Sequence, residues 1–278
     1  LKAGIVFSEI VTTVSERYCQ EIQTEELGYG LEGVLQVKKD NLFGILNGVD
    51  YDEWNPEKDR FIAENYGERI ISGKARCRKD LLQEYDLKIS DKTPLIGIIS
   101  RFVDQKGFDI LSDAMEELMS MDIGMAAVGS GERKYSDMFL DLARKYPEKL
   151  GLKIAFDNRI AHKITAGSDM ILMPSLYEPC GMTQMYSLKY GTIPIVRATG
   201  GLDDTIQNFD IKTGSGNGFK FIDYSPASLV EKVKEALAVF NNNKYLWNKL
   251  MHNAMEEDFS WERSAKRYVE LYERLCRS

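Results

Sequence analysis

The chain has 278 residues, of which 44% are hydrophobic, and its formal net charge is −7. This composition is typical of a globular protein with a sizeable core, and the negative charge argues against a nucleic-acid surface as the main function. Apolar runs such as PLIGIIS are far shorter than the roughly 18 to 20 residues of a membrane-spanning helix, and the N-terminus has no signal-peptide pattern. We therefore expect neither nucleic acid nor a membrane as a partner.

Cysteine and histidine are sparse. The four cysteines show no Cys-x-x-Cys spacing, which favours a reducing compartment over a disulfide framework or a zinc site. The two histidines, His162 and His252, are too few for imidazole-rich metal chemistry. We expect no metal, and a chemistry that depends on carboxylates, basic side chains and backbone groups.

The first fifty residues predict the tail of a separate domain. VTTVS is expected as a strand, ERYCQEI as a short helix, and LFGILNGVD as a strand that runs into a turn. The chain opens at LKAGIVFSEI without a methionine, which suggests the interior of a longer polypeptide. A charged connector follows, with a helix expected through KARCRKDLLQEYDL.

From Pro94 onward, apolar runs alternate with amphipathic stretches. The predicted strands are PLIGIIS, IGMAAVG, LKIAFD, DMILMP, IPIVRA and GFKFI, and helices are predicted near 107–120, 133–146, 159–167, 180–190 and 201–208. Strands that are apolar on successive residues are typical of a parallel sheet covered by helices on both faces. The fold class is therefore a doubly wound α/β domain, in which ligands bind beyond the carboxyl ends of the strands.

The chain becomes helical after the last strand, through SPASLVEKVKEALAVFNN, WNKLMHNAMEE and WERSAKRYVELYERL. In the last segment apolar residues recur at spacings of three to four, namely Trp261, Ala265, Tyr268, Leu271 or Tyr272, and Leu275. This spacing places them on one face of a helix, and we expect that face to be buried.

The segment SRFVDQKG, residues 100–107, directly follows the first strand of the sheet. Arg101 and Lys106 stand on a strand-to-helix loop, where Gly107 allows the backbone to turn into the next helix. Two cations at this edge suit a diphosphate. The alternative, which is commoner for an isolated Arg and Lys, is a pair of solvated loop charges.

The segment AVGSGERKY, residues 127–135, ends a strand with Gly-x-Gly before a helix. It matches only part of the dinucleotide-binding fingerprint, because Arg133 or its neighbour occupies the third glycine position. We interpret it as a tight turn beside a ligand cleft, and contact with the ligand stays open.

The segment YEPCGMTQ begins a predicted helix. Pro179 is tolerated in a first turn, and Gly181, Met182 and Thr183 offer backbone N–H groups at the positive end of the helix dipole. Glu178 has two interpretations: it stabilises the dipole, or it binds sugar hydroxyls while the N–H groups bind phosphate. These residues alone do not separate the two.

The arrangement favours the second interpretation. The strand ends after residues 99, 129 and 174 should lie at one edge of the sheet, and each carries groups that suit one elongated anionic ligand. A further helix mouth in ATGGLDDT, residues 198–205, lies on the same edge, although a plain turn is the commoner explanation of such a segment.

Three segments, SRFVDQKG, YEPCGMTQMYSLKYGTIPIVRATGGLDDT and ILNGVD, strongly resemble the bacterial glycogen synthase and plant starch synthase family. These are retaining glycosyltransferases of the two-domain GT-B fold. The resemblance extends to DFSWERSAKRYVELYERL and so covers nearly the whole chain. The EPCGMTQ block is highly specific, whereas the Gly-x-Gly turn is not.

The resemblance implies a division into four parts. Residues 1–50 would be the tail of an acceptor-side, Rossmann-like N-terminal domain, 51–92 a connector, and 93–258 the Rossmann-like domain that binds a nucleotide sugar. Residues 259–278 would form a C-terminal helix that packs back toward the N-terminal domain.

The resemblance also implies the reaction: glucose is transferred from ADP-glucose to the non-reducing end of an α-1,4-glucan with retained configuration, without a metal or other cofactor. Arg101 and Lys106 would hold the diphosphate, and Glu178 would bind the transferred glucose. Further substrate contacts would come from Asn47, Phe156 against the adenine, Cys180, Gly181, Met182 and Thr183. Synthases of this family have a tyrosine, here Tyr186, where related transferases have a second glutamate. The location would be the bacterial cytoplasm or, in a plant, the plastid stroma.

Two family features are missing: the lysine-glycine-glycine loop and a histidine that supports the donor glucose. We therefore expect a C-terminal piece that binds ADP weakly and is inactive alone. Two alternatives stay open, a nucleotide-sugar epimerase or hydrolase of the same fold, and a non-catalytic nucleotide- or glucan-binding module. The preference for ADP over UDP depends on the surroundings of Phe156.

Overall fold

The first fifty residues form a small layer of their own in the computed structural model, which describes residues 1–277. Two parallel strands, β1 (Val11–Thr13) and β2 (Leu42–Gly44), pair with each other, and the helices beside them are α1 (Lys2–Phe7), α2 (Glu16–Glu21) and α3 (Glu32–Val37). Their buried cluster consists of Ile5, Cys19, Leu35 and Leu42. β2 is shorter than predicted because the chain beyond it turns to the C-terminal segment, where the Val49 N–H donates to the Phe259 carbonyl.

The rest of the chain surrounds a six-stranded parallel sheet. Its strands are β3 (Leu95–Ile99), β4 (Gly124–Gly129), β5 (Leu150–Ile154), β6 (Met170–Met173), β7 (Ile193–Arg197) and β8 (Phe219–Phe221), in the spatial order β5-β4-β3-β6-β7-β8. The direction of strand addition reverses between β3 and β6, which is the point where doubly wound folds bind ligands. The predicted fold class is confirmed.

Helices cover both faces of the sheet. They are α4 (Gly73–Glu84), α5 (Phe108–Ser120), α6 (Arg133–Lys145), α7 (Asn158–Gly167), α8 (Thr183–Lys189), α9 (Gly200–Thr205) and α10 (Pro226–Asn242). α5 contacts α6 and α10 on one face, while α7 contacts α4 and α8 on the other. Successive strand residues alternate between the two layers: Ile96 belongs to the main core cluster, and Leu95 packs with Leu81 and Ile164.

The boundaries of β5 and α9 also differ from the prediction. β5 begins and ends earlier than LKIAFD, because Asp157 serves as the N-cap of α7 and accepts a hydrogen bond from the Ile160 N–H at 3.0 Å. α9 ends at Thr205 rather than 208, because Ile206 has extended backbone angles.

The connector is held against the sheet domain by a buried carboxylate. Asp59 Oδ2 lies 2.7 Å from His162 Nδ1 and accepts a hydrogen bond from the Tyr190 hydroxyl at 2.6 Å. Burial opposes ionisation of Asp59, but the hydrogen bonds from His162 and Tyr190 outweigh it and lower the pKa of this carboxyl. Nearby, the Trp54 ring stacks between those of His162 and Tyr186, at centroid distances of 3.8 and 4.0 Å. The connector thus forms a fixed wall of the larger domain.

The last two helices are α11 (Lys244–Glu256) and α12 (Trp261–Arg277). The predicted buried face of α12 is present only in part: Ser264 is buried and Tyr268, Leu271 and Leu275 are half-buried, whereas Trp261, Ala265 and Tyr272 are exposed. α12 lies along the first fifty residues, and charged side chains contribute to this contact. Arg267 pairs with Glu16 at 3.1 Å, and the Arg274 guanidinium lies 5.4 Å from the Phe43 ring centre. Ser278, the last residue of the predicted C-terminal part, lies outside the described residues.

Two carboxylates join the first fifty residues to the sheet domain by reciprocal helix capping. Asp204, on α9, accepts hydrogen bonds at the start of α2 from the Ser15 hydroxyl at 2.6 Å and the Arg17 N–H at 3.1 Å. Glu21, on α2, accepts hydrogen bonds at the start of α9 from the Gly200 N–H and the Thr199 hydroxyl. Each helix therefore supplies negative charge to the positive end of the other.

We expect Asp204→Ala to lower the free energy of unfolding by about 1 to 2 kcal/mol, because the change removes a cap and leaves the Ser15 hydroxyl without its acceptor. Urea unfolding followed by circular dichroism measures this. Asp113→Ala, which removes an exposed carboxylate from α5, is the matched control and should stay within about 0.5 kcal/mol of the unsubstituted chain. Equal effects of the two substitutions would contradict the capping interpretation.

Candidate functional site

A cavity of about 650 Å³ lies at the carboxyl ends of β3, β4 and β6. Each of the three strands contributes lining residues through the loop that follows it: Arg101 and Lys106 after β3, Gly129 and Ser130 after β4, and Ser175 and Glu178 after β6. The predicted convergence of three strand ends is thus present, and it falls at the reversal of strand order.

The loop after β3 depends on Gly107. This residue has φ +75°, and a Cβ at its position would lie 2.0 Å from the Pro174 carbonyl oxygen. The predicted turn at Gly107 is therefore present, and it brings the loop against the end of β6. Arg101 stays exposed and donates to Gln105 Oε1 at 3.1 Å, whereas Lys106 points inward.

Glu178 is a buried carboxylate with two hydrogen-bond donors. It is 5% exposed, and its Oε2 lies 2.5 Å from Lys106 Nζ and 3.2 Å from the Ser175 hydroxyl, which donates to it. A buried charge needs such a partner, because unpaired burial costs several kcal/mol. The residues expected to hold the diphosphate and the glucose are therefore in direct contact with each other.

The helix after Glu178 begins later than predicted. α8 starts at Thr183, so Pro179 lies in the preceding loop rather than in the first helical turn. The reason is Gly181, whose φ of +69° cannot belong to a helix. Met182, the N-cap residue, supplies no side-chain hydrogen bond, and Gly181, Met182 and Thr183 all line the cavity. The N-terminus of α8 thus faces the cavity with uncapped N–H groups.

Gln184 holds this loop in place, and its role was not predicted from the sequence. Its side chain is fully buried, and Nε2 donates to the carbonyls of Cys180 and Gly181, both at 3.0 Å. Arg197 acts similarly on the loop after β6, where its Nε donates to the Ser175 carbonyl at 2.8 Å. The only sequence signal for either residue is a polar side chain at the carboxyl edge of an apolar sheet.

Cys180 and Asn47 lie outside the lining of the large cavity. Cys180 is buried, and the backbone N–H of Asn47 hydrogen-bonds its thiol. Asn47 lines a second cavity of about 340 Å³, together with residues of α12 and with Asp204. Burial raises the pKa of Cys180 to about 11, so the thiol is neutral at physiological pH and suits a wall rather than a nucleophile.

Phe156 stands at the rim of the large cavity with its side chain almost fully exposed. The Gly-x-Gly segment also reaches this cavity through Gly129 and Ser130, whereas Arg133 pairs with Asp137 on the exposed side of α6. Tyr186 is a lining residue as well, stacked on Trp54.

The paired glycines of ATGGLDDT support the site from behind. The Gly201 N–H donates to the Glu178 carbonyl at 3.0 Å, and a Cβ at Gly200 would lie 1.9 Å from the same oxygen. Since Glu21 already caps α9, this helix mouth is a support for the Glu178 loop rather than part of the cavity lining.

Residues 1–277 contain no cluster of three or more His, Cys, Asp or Glu side chains that could hold a metal ion. Within the same residues, every helix is too short or too polar to cross a membrane.

Two family profiles match parts of the chain. The profile of the family described as glycosyl transferases group 1 matches residues 82–246, which include all six strands of the larger sheet and the strand-end residues of the cavity from Arg101 to Thr183. The chain belongs to the group 1 glycosyl transferases. A second profile, described as the starch synthase catalytic domain, matches residues 1–37.

Individual relatives show which members of this family the chain is similar to. This glycosyl transferase chain is 51% identical over 274 residues to a glycogen synthase from Koribacter versatilis, covering 99% of the chain and 56% of that protein. It is 50% identical to a glycogen synthase from Thermosipho africanus, covering 98% and 56%. The solved catalytic domain of starch synthase IV from Arabidopsis thaliana, bound to ADP and acarbose, matches with a TM-score of 0.92 at 35% identity, covering 98% and 57%.

These comparisons confirm the resemblance to glycogen and starch synthases and the GT-B fold. The group 1 chain spans a little over half the length of these relatives. The roles of the individual site residues stay predictions.

We expect Lys106→Ala to destabilise this transferase chain by about 3 to 5 kcal/mol, because it leaves the Glu178 carboxylate buried and unpaired. Urea unfolding measures the loss. The double substitution Lys106→Ala/Glu178→Gln should recover a large part of it, since the amide carries no charge. If the double variant were as unstable as the sum of the two single variants, the pair would not be coupled.

We also expect the cysteines to differ in reactivity with iodoacetamide. Cys276 is exposed and should be alkylated first, whereas Cys180 should react far more slowly at pH 7.5 because it is buried and its pKa is raised. Peptide mass spectrometry over a time course gives the order. Alkylation of Cys180 at the rate of Cys276 would show that the loop after Glu178 opens readily.

Proposed function

We propose that this chain binds ADP-glucose in the cavity at the β3–β6 switch point and supplies the donor half of a glucan synthase. The reaction is the transfer of glucose to the non-reducing end of an α-1,4-glucan with retained configuration. One observation carries the proposal: Arg101, Lys106, Glu178 and the uncapped N-terminus of α8 line a single cavity. The relatives support it, since they are glycogen synthases and a starch synthase whose structure holds ADP and acarbose.

The charges suit departure of a diphosphate. As the bond between glucose and ADP lengthens, negative charge develops on the diphosphate, and cations and N–H groups placed there stabilise the transition state more than the ground state. Lys106 is expected at the diphosphate and Glu178 at the glucose. Because the two side chains are in contact, the ammonium would lie between the leaving group and the sugar. A donor phosphate would share this ammonium, and the Glu178 carboxylate would accept hydrogen bonds from glucose hydroxyls.

Retention is proposed to proceed without a covalent glycosyl carboxylate. Among residues 1–277, the carboxylates that line the cavity besides Glu178 are Glu53 and Asp157. Both lie toward the Phe156 end, and Asp157 is engaged as the N-cap of α7. A carboxylate nucleophile would have to lie close to the first carboxylate across the sugar. We therefore infer that the acceptor enters on the leaving-group face.

The remaining parts of the proposal concern what lies around the donor. Arg101, Lys106 and the α8 N-terminus supply positive charge, so a metal is not required for diphosphate binding.

Turnover is proposed to need the further length of the relatives, in which case this chain alone binds ADP without synthase activity. The proposed location is the bacterial cytoplasm, and the bacterial origin of the relatives supports it.

We expect isothermal titration to detect ADP binding to the chain, and Arg101→Ala to weaken it by roughly 10- to 100-fold, since a hydrogen bond to a charged group contributes about 1.5 to 3 kcal/mol. Because Arg101 is exposed, its removal should leave the free energy of unfolding nearly unchanged. EDTA should not alter the affinity. Arg133→Ala, which removes an exposed arginine outside the cavity lining, is the matched control.

Absence of ADP binding, or equal effects of the Arg101 and Arg133 substitutions, would refute the donor site. Incubation with ADP-glucose and glycogen separates the remaining functions: release of free glucose would indicate a hydrolase, and a changed sugar an epimerase. Glucan elongation by this chain alone would refute the need for further length.

A further inference from the structure

The end of the cavity near Phe156 carries an acceptor that the proposed reaction does not use. Glu53, from the connector, lines the cavity beside Phe156 and Asn158. Its Oε1 accepts a hydrogen bond from Asn158 Nδ2 at 3.1 Å, and Asn158 lies two residues after Phe156 in the chain. The carboxylate is thus fixed next to the ring that is expected to stack on the nucleotide base.

The second oxygen of Glu53 is available. Within residues 1–277, Oε2 of Glu53 has no hydrogen-bond partner, and the side chain is 51% exposed. The neighbouring carboxylate of Asp157 is engaged at the N-cap of α7. His162 Nε2, which is buried and has no hydrogen-bond partner, lies 3.9 Å from Oε1 of Glu53, beyond hydrogen-bond distance. Oε2 of Glu53 is therefore an acceptor that is available to a ligand at this end of the cavity.

The backbone around Glu53 is held in place by its neighbours. It precedes Trp54, whose ring is stacked between His162 and Tyr186, and the same connector is anchored through Asp59. A group placed by packing rather than by ligand binding loses little conformational entropy when it recognises a ligand. A side chain that discriminates between ligands needs to be positioned before the ligand binds.

The bases differ in what they present to an acceptor. Adenine carries an exocyclic amino group, which donates, whereas the corresponding group of uracil is a carbonyl oxygen, which only accepts. An ionised carboxylate has no proton to donate. It therefore accepts a hydrogen bond from the adenine amino group and repels the carbonyl oxygen of uracil. We propose that Glu53 is the residue that selects an amino-bearing base, adenine, over a base with a carbonyl at that place. This inference rests on the proposed function, because it assumes a nucleotide diphosphate in the cavity.

The test compares ADP with inosine diphosphate, which keeps the purine shape and the diphosphate but has a carbonyl in place of the amino group and an N–H in place of the adjoining ring nitrogen. Isothermal titration of the unsubstituted chain should show ADP binding about tenfold more tightly, or about 1.4 kcal/mol. Glu53→Ala should bring the two affinities close together. Glu57→Ala, an exposed connector carboxylate outside the cavity lining, should keep the original ratio.

A third variant distinguishes recognition from a structural role. In Glu53→Gln the amide oxygen should stay with the Asn158 donor, so that the amide nitrogen takes the place of Oε2 and donates. The preference should then shift toward inosine diphosphate, which a merely structural contribution of Glu53 would not produce. Binding of inorganic pyrophosphate should be the same in all variants.

The outcomes separate the two proposals. If ADP and inosine diphosphate bind equally to the unsubstituted chain and Arg101→Ala weakens both, the diphosphate site stands and base selection by Glu53 is refuted. An unchanged ratio in Glu53→Ala, or a loss of pyrophosphate binding in that variant, also refutes it. If neither nucleotide nor pyrophosphate binds, the proposed function itself fails.

Discussion

The cavity exists because the helices after β3 and β6 leave the sheet on opposite faces. α5 packs in the layer of α6 and α10, and α8 packs in the layer of α7, so the two loops diverge and leave a crevice between them. Close backbone contacts then bring the loops back together above the strands. Gly107 meets the Pro174 carbonyl, and Gly201 supports the Glu178 loop from the next strand. Groups distant in the chain thus line one space.

Within this crevice, the Lys106–Glu178 pair concentrates opposite charges in a chain whose net charge is −7. Glu178 is almost fully buried, and its carboxylate has two partners, the Lys106 ammonium and the Ser175 hydroxyl. A diphosphate would bring a competing demand for the same cation. Arg101 and the uncapped start of α8 then matter, because they add positive charge without depriving Glu178 of its partner.

The walls of the site also depend on segments that precede the sheet. The connector contributes Glu53 and Trp54 and is anchored by the buried Asp59, while the first fifty residues are joined through the reciprocal caps of α2 and α9. Asn47 reaches the back of Cys180 by this route and faces a different cavity. The strand-end cavity is therefore framed by segments from before and within the sheet, and its end near Phe156 is lined by the connector as well as by the loop after β5.

Local patterns in the sequence determined the elements and the chemistry of the strand ends. Strands such as LIGII are apolar on successive residues because both faces are covered, and SRFVDQKG and EPCGMTQ place the cations, the carboxylate and the helix mouth at one edge. Only the tertiary structure decided which groups meet. Glu178 and Lys106 are 72 residues apart, the start of α8 depends on the positive φ of Gly181, and the periodicity of α12 shows an apolar face without showing what covers it. Periodicity reports the environment of each residue along its own element, whereas contacts between elements are set by how the strands cross and where the loops return.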